Sequence, residues 1–133
     1  MEMNLEKGLT GQVVVSVTEE NTAVSYGSGE IDVFATPAMI GLMEKAALKA
    51  VDPHLPEGWG TVGIRVDVRH MAATPRGVRV YAEAKLIEIK GKRLVFEVVA
   101  FDDHECIGEG IHERFVIDKN VFMQKTEEKR ASQ

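Results

Sequence analysis

The sequence predicts an α+β domain in which an antiparallel sheet wraps one central helix. Three observations predict it: one uninterrupted helix-forming stretch from residue 36 to about residue 51, a run of four strand-like segments after it, and short turns rich in Gly and Asp between those segments. At 133 residues the chain fits one domain, residues 1–133, large enough to bury a core and too small for two.

Residues 12–18 read QVVVSVT, β-branched and apolar, and predict a first strand; residues 22–26 predict a second, short one. A loop holding Gly27, Gly29 and Asp32 leads into Thr36-Pro37. Threonine is a favoured N-cap and proline is well tolerated at the first helical position, so the helix is expected to start there with Thr36 as its cap. It continues through AMIGLMEKAALKAV, all good helix formers but for a few, until Asp52-Pro53 interrupts it after roughly four turns. Beyond the loop HLPEGWG, residues 61–71 alternate, with Val62, Ile64, Val66 and Val68 on one face and Arg65, Asp67 and Arg69 on the other. Three further strands, residues 78–89, 94–101 and 106–117, are separated by Thr74-Pro75-Arg76-Gly77, Lys90-Gly91-Lys92 and Asp102-Asp103-His104-Glu105, the pattern of an antiparallel meander. From Asp118 the chain grows steadily more polar, and a frayed tail is expected from about residue 122.

The composition, 44% hydrophobic and 28% charged, is that of a folded globular protein and excludes a disordered or fibrous one. A net charge of −5 provides no general attraction for nucleic acid or for an anionic membrane, so neither is expected as a partner. The lone Cys106 rules out an internal disulfide, and no Cys/His spacing resembles a zinc site. Residues 1–11 carry Glu2 and Glu6 without an apolar stretch of signal-peptide or membrane-span length, so a cytoplasmic location is expected. A sheet covering only one helix leaves an edge exposed, which predicts a homodimer or a higher homo-oligomer.

Placed on a helical wheel, Lys45 and Lys49 share one face and Ile40, Met43 and Ala47 the opposite one, while Glu44 falls about 60° from the centre of the apolar stripe. A carboxylate therefore points inward. Either it is a boundary residue that reaches water or an arginine such as Arg114, or it is a partly desolvated carboxylate suited to general-base or nucleophilic work. His70 shares the phase of Val62, Ile64, Val66 and Val68, and so projects from an apolar face towards the helix, as a satisfied core histidine or as a partner of Glu44 or of a ligand. His54 and His104 fall in predicted loops, His112 in the last strand as a packing or ligand-side residue, and no metal triad is completed. Thr36 is explained by capping, although a helix N-terminus also offers free N–H groups to a developing oxyanion. Gly63, inside a strand, marks a bulge or a close approach of ligand to backbone.

Taken together, VFATPAMIGLMEKAALKAV from Val33, TVGIRVDVRHMAATPRG from Thr61 and IGEGIHERFVI from Ile107 resemble the fluoroacetyl-CoA thioesterase family of hot-dog-fold proteins. The resemblance spans most of the chain and is most specific from Thr36 to Glu44 and at His70 followed by Ala72-Ala73-Thr74-Pro75. It implies a hot-dog fold, an acyl-CoA thioesterase activity, a Thr/Glu/His catalytic set at Thr36, Glu44 and His70, and substrate contacts at Gly63, His70 and Arg114. In the roles this implies, Glu44 attacks the thioester or activates water, His70 polarises or protonates, and Thr36 orients the carboxylate. No cofactor is implied beyond the coenzyme A carried by the substrate. One departure stands out: the family's fluoroacetate-specific member has a phenylalanine lid before the helix, where this chain has Gly29-Glu30-Ile31-Asp32. Without an aromatic gate that rejects acetyl-CoA, a broader short-chain or other small acyl-CoA substrate is expected. The alternatives are a hot-dog enoyl-thioester hydratase or dehydratase, against which the Thr36 to Glu44 spacing argues, and a non-catalytic acyl-CoA binding module.

Overall fold

The computed structural model describes residues 3–132. Its strands are β1 (Thr10–Ser16), β2 (Trp59–His70), β3 (Arg79–Lys90), β4 (Arg93–Asp102) and β5 (Cys106–Asp118), and its helices α1 (Ala23–Tyr26), α2 (Thr36–Val51) and α3 (Lys119–Ala131). All strand pairs are antiparallel, in the order β1-β3-β4-β5-β2. The expected meander therefore holds for β3, β4 and β5, whereas β2 lies at the far edge against β5 and not beside β3. The curled sheet wraps α2 in a hot-dog fold.

Helix α2 buries Met39, Met43, Ala46, Ala47, Ala50 and Val51, a stripe at helical spacing, against Val80, Ala82, Ala84, Leu86, Phe96 and Val98 of the sheet. Truncating a fully buried member such as Met39 to alanine would cost about 2–5 kcal/mol. Small residues set how closely helix and sheet approach. A Cβ on Gly11 of β1 would collide with the Ala46 carbonyl oxygen and stand 2.7 Å from the Ala50 nitrogen, so β1 passes α2 nearly backbone to backbone.

Two expected elements differ. Of residues 22–26, Ala23–Tyr26 form helix α1 and not a strand, because Thr22 accepts from the Ser25 N–H and Gly27, at φ 70°, closes the turn; only a single bridge, Thr22 to Phe34, remains of the extended pairing. These local bonds outweigh β propensity in so short a segment. The tail expected to fray forms α3 instead. Asp118 caps it, accepting from Asn120 and Val121 at 3.0 and 3.1 Å, so a helix stands even though none of its residues is buried. Among the described residues, no helix is long and apolar enough to cross a membrane.

Candidate active site

Thr36 is not the cap of α2. Ala35 occupies that position in extended conformation, and Thr36 and Pro37 are the first two helical residues. Freed from capping, the Thr36 hydroxyl lies 2.7 Å from Nδ1 of His70, at the end of β2. The His70 Nε2 is buried without a protein partner, a situation that costs about 1–3 kcal/mol when nothing binds there. Burial holds the pKa of this imidazole below its usual 6.5, so it is neutral at pH 7.

Helix α2 and strand β2 run side by side in opposite directions. Thr36 meets His70 at one end, and at the other Asp52 accepts from the Thr61 hydroxyl at 2.6 Å. Between them, Glu44 meets Gly63. The Oε2 of Glu44 lies 2.8 Å from where a Cβ on Gly63 would stand, so glycine leaves the room that this carboxylate fills. The same point is 3.2 Å from Cε1 of His112 and 3.6 Å from Nη1 of Arg114. Arg114 is 5% exposed. It donates from Nε to the Thr61 hydroxyl at 2.8 Å, from Nη2 to the Thr61 carbonyl at 2.9 Å, and from Nη1 to Nε2 of His112 at 3.2 Å. Two of its five N–H groups are left for Glu44 or a ligand.

A strand bulge makes this arrangement possible. The β2–β5 register runs from Gly63↔Arg114 directly to Arg65↔Glu113, leaving Ile64 as an extra residue. Side chains alternate, so Gly63 and His70, seven positions apart, would otherwise face opposite sides of the sheet. With the bulge, Thr61 and Gly63 share the inner face with Val66, Val68 and His70. Val62 stands opposite Phe115 on the outer face. The expectation that Val62 and Ile64 share a face with His70 is thus corrected, while Val66, Val68 and His70 keep the predicted phase.

Every residue singled out from the sequence, Thr36, Glu44, Gly63, His70 and Arg114, lies along this helix–strand seam. Thr36 engages His70, however, and not the Glu44 carboxylate; the eight-residue step from one to the other puts the two about 12 Å apart along the helix axis. Asp52 and Thr61, which hold Arg114 in place, were not singled out. Their signal is weak, since an Asp before proline and a Thr at a strand start both read as boundary residues. His112 had a partial signal in the spacing of His112 and Arg114, two apart on one face of β5. The lid-position residues carry no aromatic: Ile31 is 67% exposed, and Asp32 pairs with Arg76 at 2.8 Å. The Phe34 ring that follows is buried in the core.

Residues 17–120 match the model of the fluoroacetyl-CoA-specific thioesterase family. The fluoroacetyl-CoA thioesterase of Streptantibioticus cattleyicolor is 44% identical over 98 residues, 74% of this chain and 70% of that protein. The solved structure of the fluoroacetyl-CoA thioesterase FlK superposes with a TM-score of 0.89 at 36% identity, over 95% of this chain and 98% of its own. A hot-dog-like protein from Thermanaerovibrio acidaminovorans superposes at 0.84 with 25% identity, over 92% and 91% of the two chains.

Proposed function

The chain belongs to the fluoroacetyl-CoA-specific thioesterase family and is by that kinship a thioester hydrolase, and we propose that it hydrolyses short-chain acyl-CoA through Thr36, Glu44 and His70. The observation that carries this reading is the seam itself: a neutral histidine with a buried, unpartnered Nε2 and a half-buried carboxylate lie on one face, joined by the same helix and the same strand. Within one chain Glu44 stands about 12 Å along the helix from the Thr36 that holds His70, so one carbonyl reaches both groups only where two copies pair along β2 and set Glu44 of one beside His70 of the partner subunit. Either Glu44 attacks the carbonyl carbon, the C–S bond breaks and water then cleaves the mixed anhydride to regenerate the carboxylate, or Glu44 draws a proton from water that attacks the carbonyl directly and breaks the C–S bond; in both cases the thiolate of coenzyme A takes a proton and the acid leaves. His70 polarises the carbonyl or supplies the proton to sulfur, and Thr36, through Nδ1, fixes the imidazole's orientation. Gly63 and Arg114 contact the substrate where Glu44 does.

The acyl group in this reading is small and is not restricted to fluoroacetyl. Support comes from the exposed Gly29-Glu30-Ile31-Asp32 loop, which provides no aromatic gate. The enzyme works as a homodimer joined along β2. The outer edge of that strand has no strand partner among the described residues, and Ile64 and Val66 on it are 50% and 41% exposed. A cytoplasmic location suits the free thiol of Cys106, and the reaction needs no cofactor besides the coenzyme A of its substrate.

The test is thiol release from acetyl-, fluoroacetyl-, butyryl- and phenylacetyl-CoA by the wild type and by Glu44→Ala and His70→Ala proteins. Release by wild type and a loss of about 10²–10⁴-fold in either folded variant is the expected result. Binding of acyl-CoA with no thiol released from any of the four would overturn hydrolysis in favour of a binding module.

A further inference from the structure

His112 is the most deeply buried ionisable side chain near the seam, 1% exposed, and the mechanism above does not use it. Its ring packs against Phe96, with centroids 6.2 Å apart. Both ring nitrogens are committed. Nδ1 lies 2.8 Å from the backbone carbonyl of Arg65, which only accepts, so Nδ1 carries the hydrogen. Nε2 lies 3.2 Å from Nη1 of Arg114, which only donates, so Nε2 presents its lone pair. These two partners allow one state, the neutral Nδ1–H tautomer.

The partners of Arg114 have a common property. Thr61 Oγ1, the Thr61 carbonyl and His112 Nε2 are all neutral acceptors, and no carboxylate among the described residues forms an ion pair with this guanidinium. A buried arginine is usually held by an acid, which would also cancel its charge. Here the group is fixed on three sides without a direct ion pair, and the carboxylates that act on its charge are Asp52, behind Thr61, and Glu44, above Gly63.

From this we infer that His112 is a positioning residue: as a neutral acceptor it clamps Arg114 so that the guanidinium faces Glu44 and the reacting thioester. The inference rests on the thioesterase reading for its catalytic consequence, though the clamp itself does not. The charged groups around the ring are Arg114 on its own strand, Glu44 from α2 and Glu113 on the outer face of β5. Burial and Arg114 both oppose protonation of the ring, so the acceptor lone pair persists at neutral pH.

Two variants separate the clamp from mere packing. In His112→Gln the amide oxygen reaches the place of Nε2 and keeps an acceptor for Arg114. In His112→Asn the shorter amide reaches only the Arg65 carbonyl, and Arg114 is released. The expected result is a kcat reduced by roughly 10- to 100-fold in His112→Asn with little change in KM, because a misplaced charge slows the chemistry more than it weakens binding. His112→Gln recovers most of the rate. Equal behaviour of the two variants, or no change in kcat, would overturn the inference while leaving the hydrolase reading intact. Where the variants do not fold or the wild type releases no thiol, nitrogen-15 NMR of the wild-type ring decides. A neutral Nδ1–H tautomer that stays unprotonated from pH 8 to 6 supports the clamp, and an Nε2–H tautomer or a ring that titrates in that range refutes it.

Discussion

Two histidines, the half-buried His70 and the buried His112, share a protonation state but differ in their partners. Each is held below the usual histidine pKa by burial. His70 keeps one nitrogen on Thr36 and leaves Nε2 without a protein partner, whereas His112 commits both nitrogens. The shared shift has a consequence for stability. Below about 6.5 the unfolded chain binds protons at both rings that the folded chain resists, so the unfolding free energy falls as pH is lowered through the ordinary histidine range. Urea unfolding at pH 7.5 and 5.5 is expected to show this loss, and His112→Gln, which removes one of the two groups, is expected to show a smaller one. A wild type as stable at pH 5.5 as at 7.5 would mean that the rings titrate alike in both states.

The same substitution at two glycines tests how the elements meet. At Gly11 a methyl group runs into the α2 backbone at Ala46 and Ala50, which cannot move without shifting the whole helix on β1. Gly11→Ala is therefore expected to cost roughly 1–3 kcal/mol or more. At Gly63 the nearest atom is the tip of the flexible Glu44 side chain. Gly63→Ala is expected to lower the melting temperature less than Gly11→Ala, since only the fixed His112 ring at 3.2 Å resists the methyl, and to lower thiol release by about 10²-fold, since the displaced carboxylate is the proposed reacting group. Calorimetry and the thiol assay on both proteins check the pair; a Gly63→Ala protein with wild-type turnover would show that the Glu44 position over Gly63 is not needed. Much at this scale was legible beforehand. The extent of α2 follows from its helix formers and the Asp52-Pro53 stop, and the three hairpin-linked strands from alternation and turn residues. The cap of α2 is Ala35 and not the expected Thr36, because the two compete for that position and only the bond to His70 decides between them. Helix α1 and helix α3 were missed because each depends on one or two side-chain caps whose effect outweighs weak local propensity.

At the scale of the whole molecule, the edge of β2 that has no strand partner among the described residues carries Gly63 and His70 and exposes Ile64 and Val66. Pairing two copies along it would satisfy the unpaired backbone groups and bury those side chains. Ile64→Lys is expected to shift the protein from dimer to monomer in sedimentation velocity and to lower activity with it, and a wild type that sediments as a monomer would dismiss the dimer. The sequence by itself determined the class of fold, the central helix and the inward direction of Glu44, because periodicity and helix propensity are local properties that each segment expresses on its own. Only the tertiary structure decided that Gly63 and His70 share a face, that Thr36 serves His70 and that His112 holds Arg114. Each of those depends on the register between β2 and β5 or on the seat of α2 against β2. A bulge of one residue, signalled by Gly63 but not by the alternation of residues 61–71, reverses the direction of every side chain beyond it.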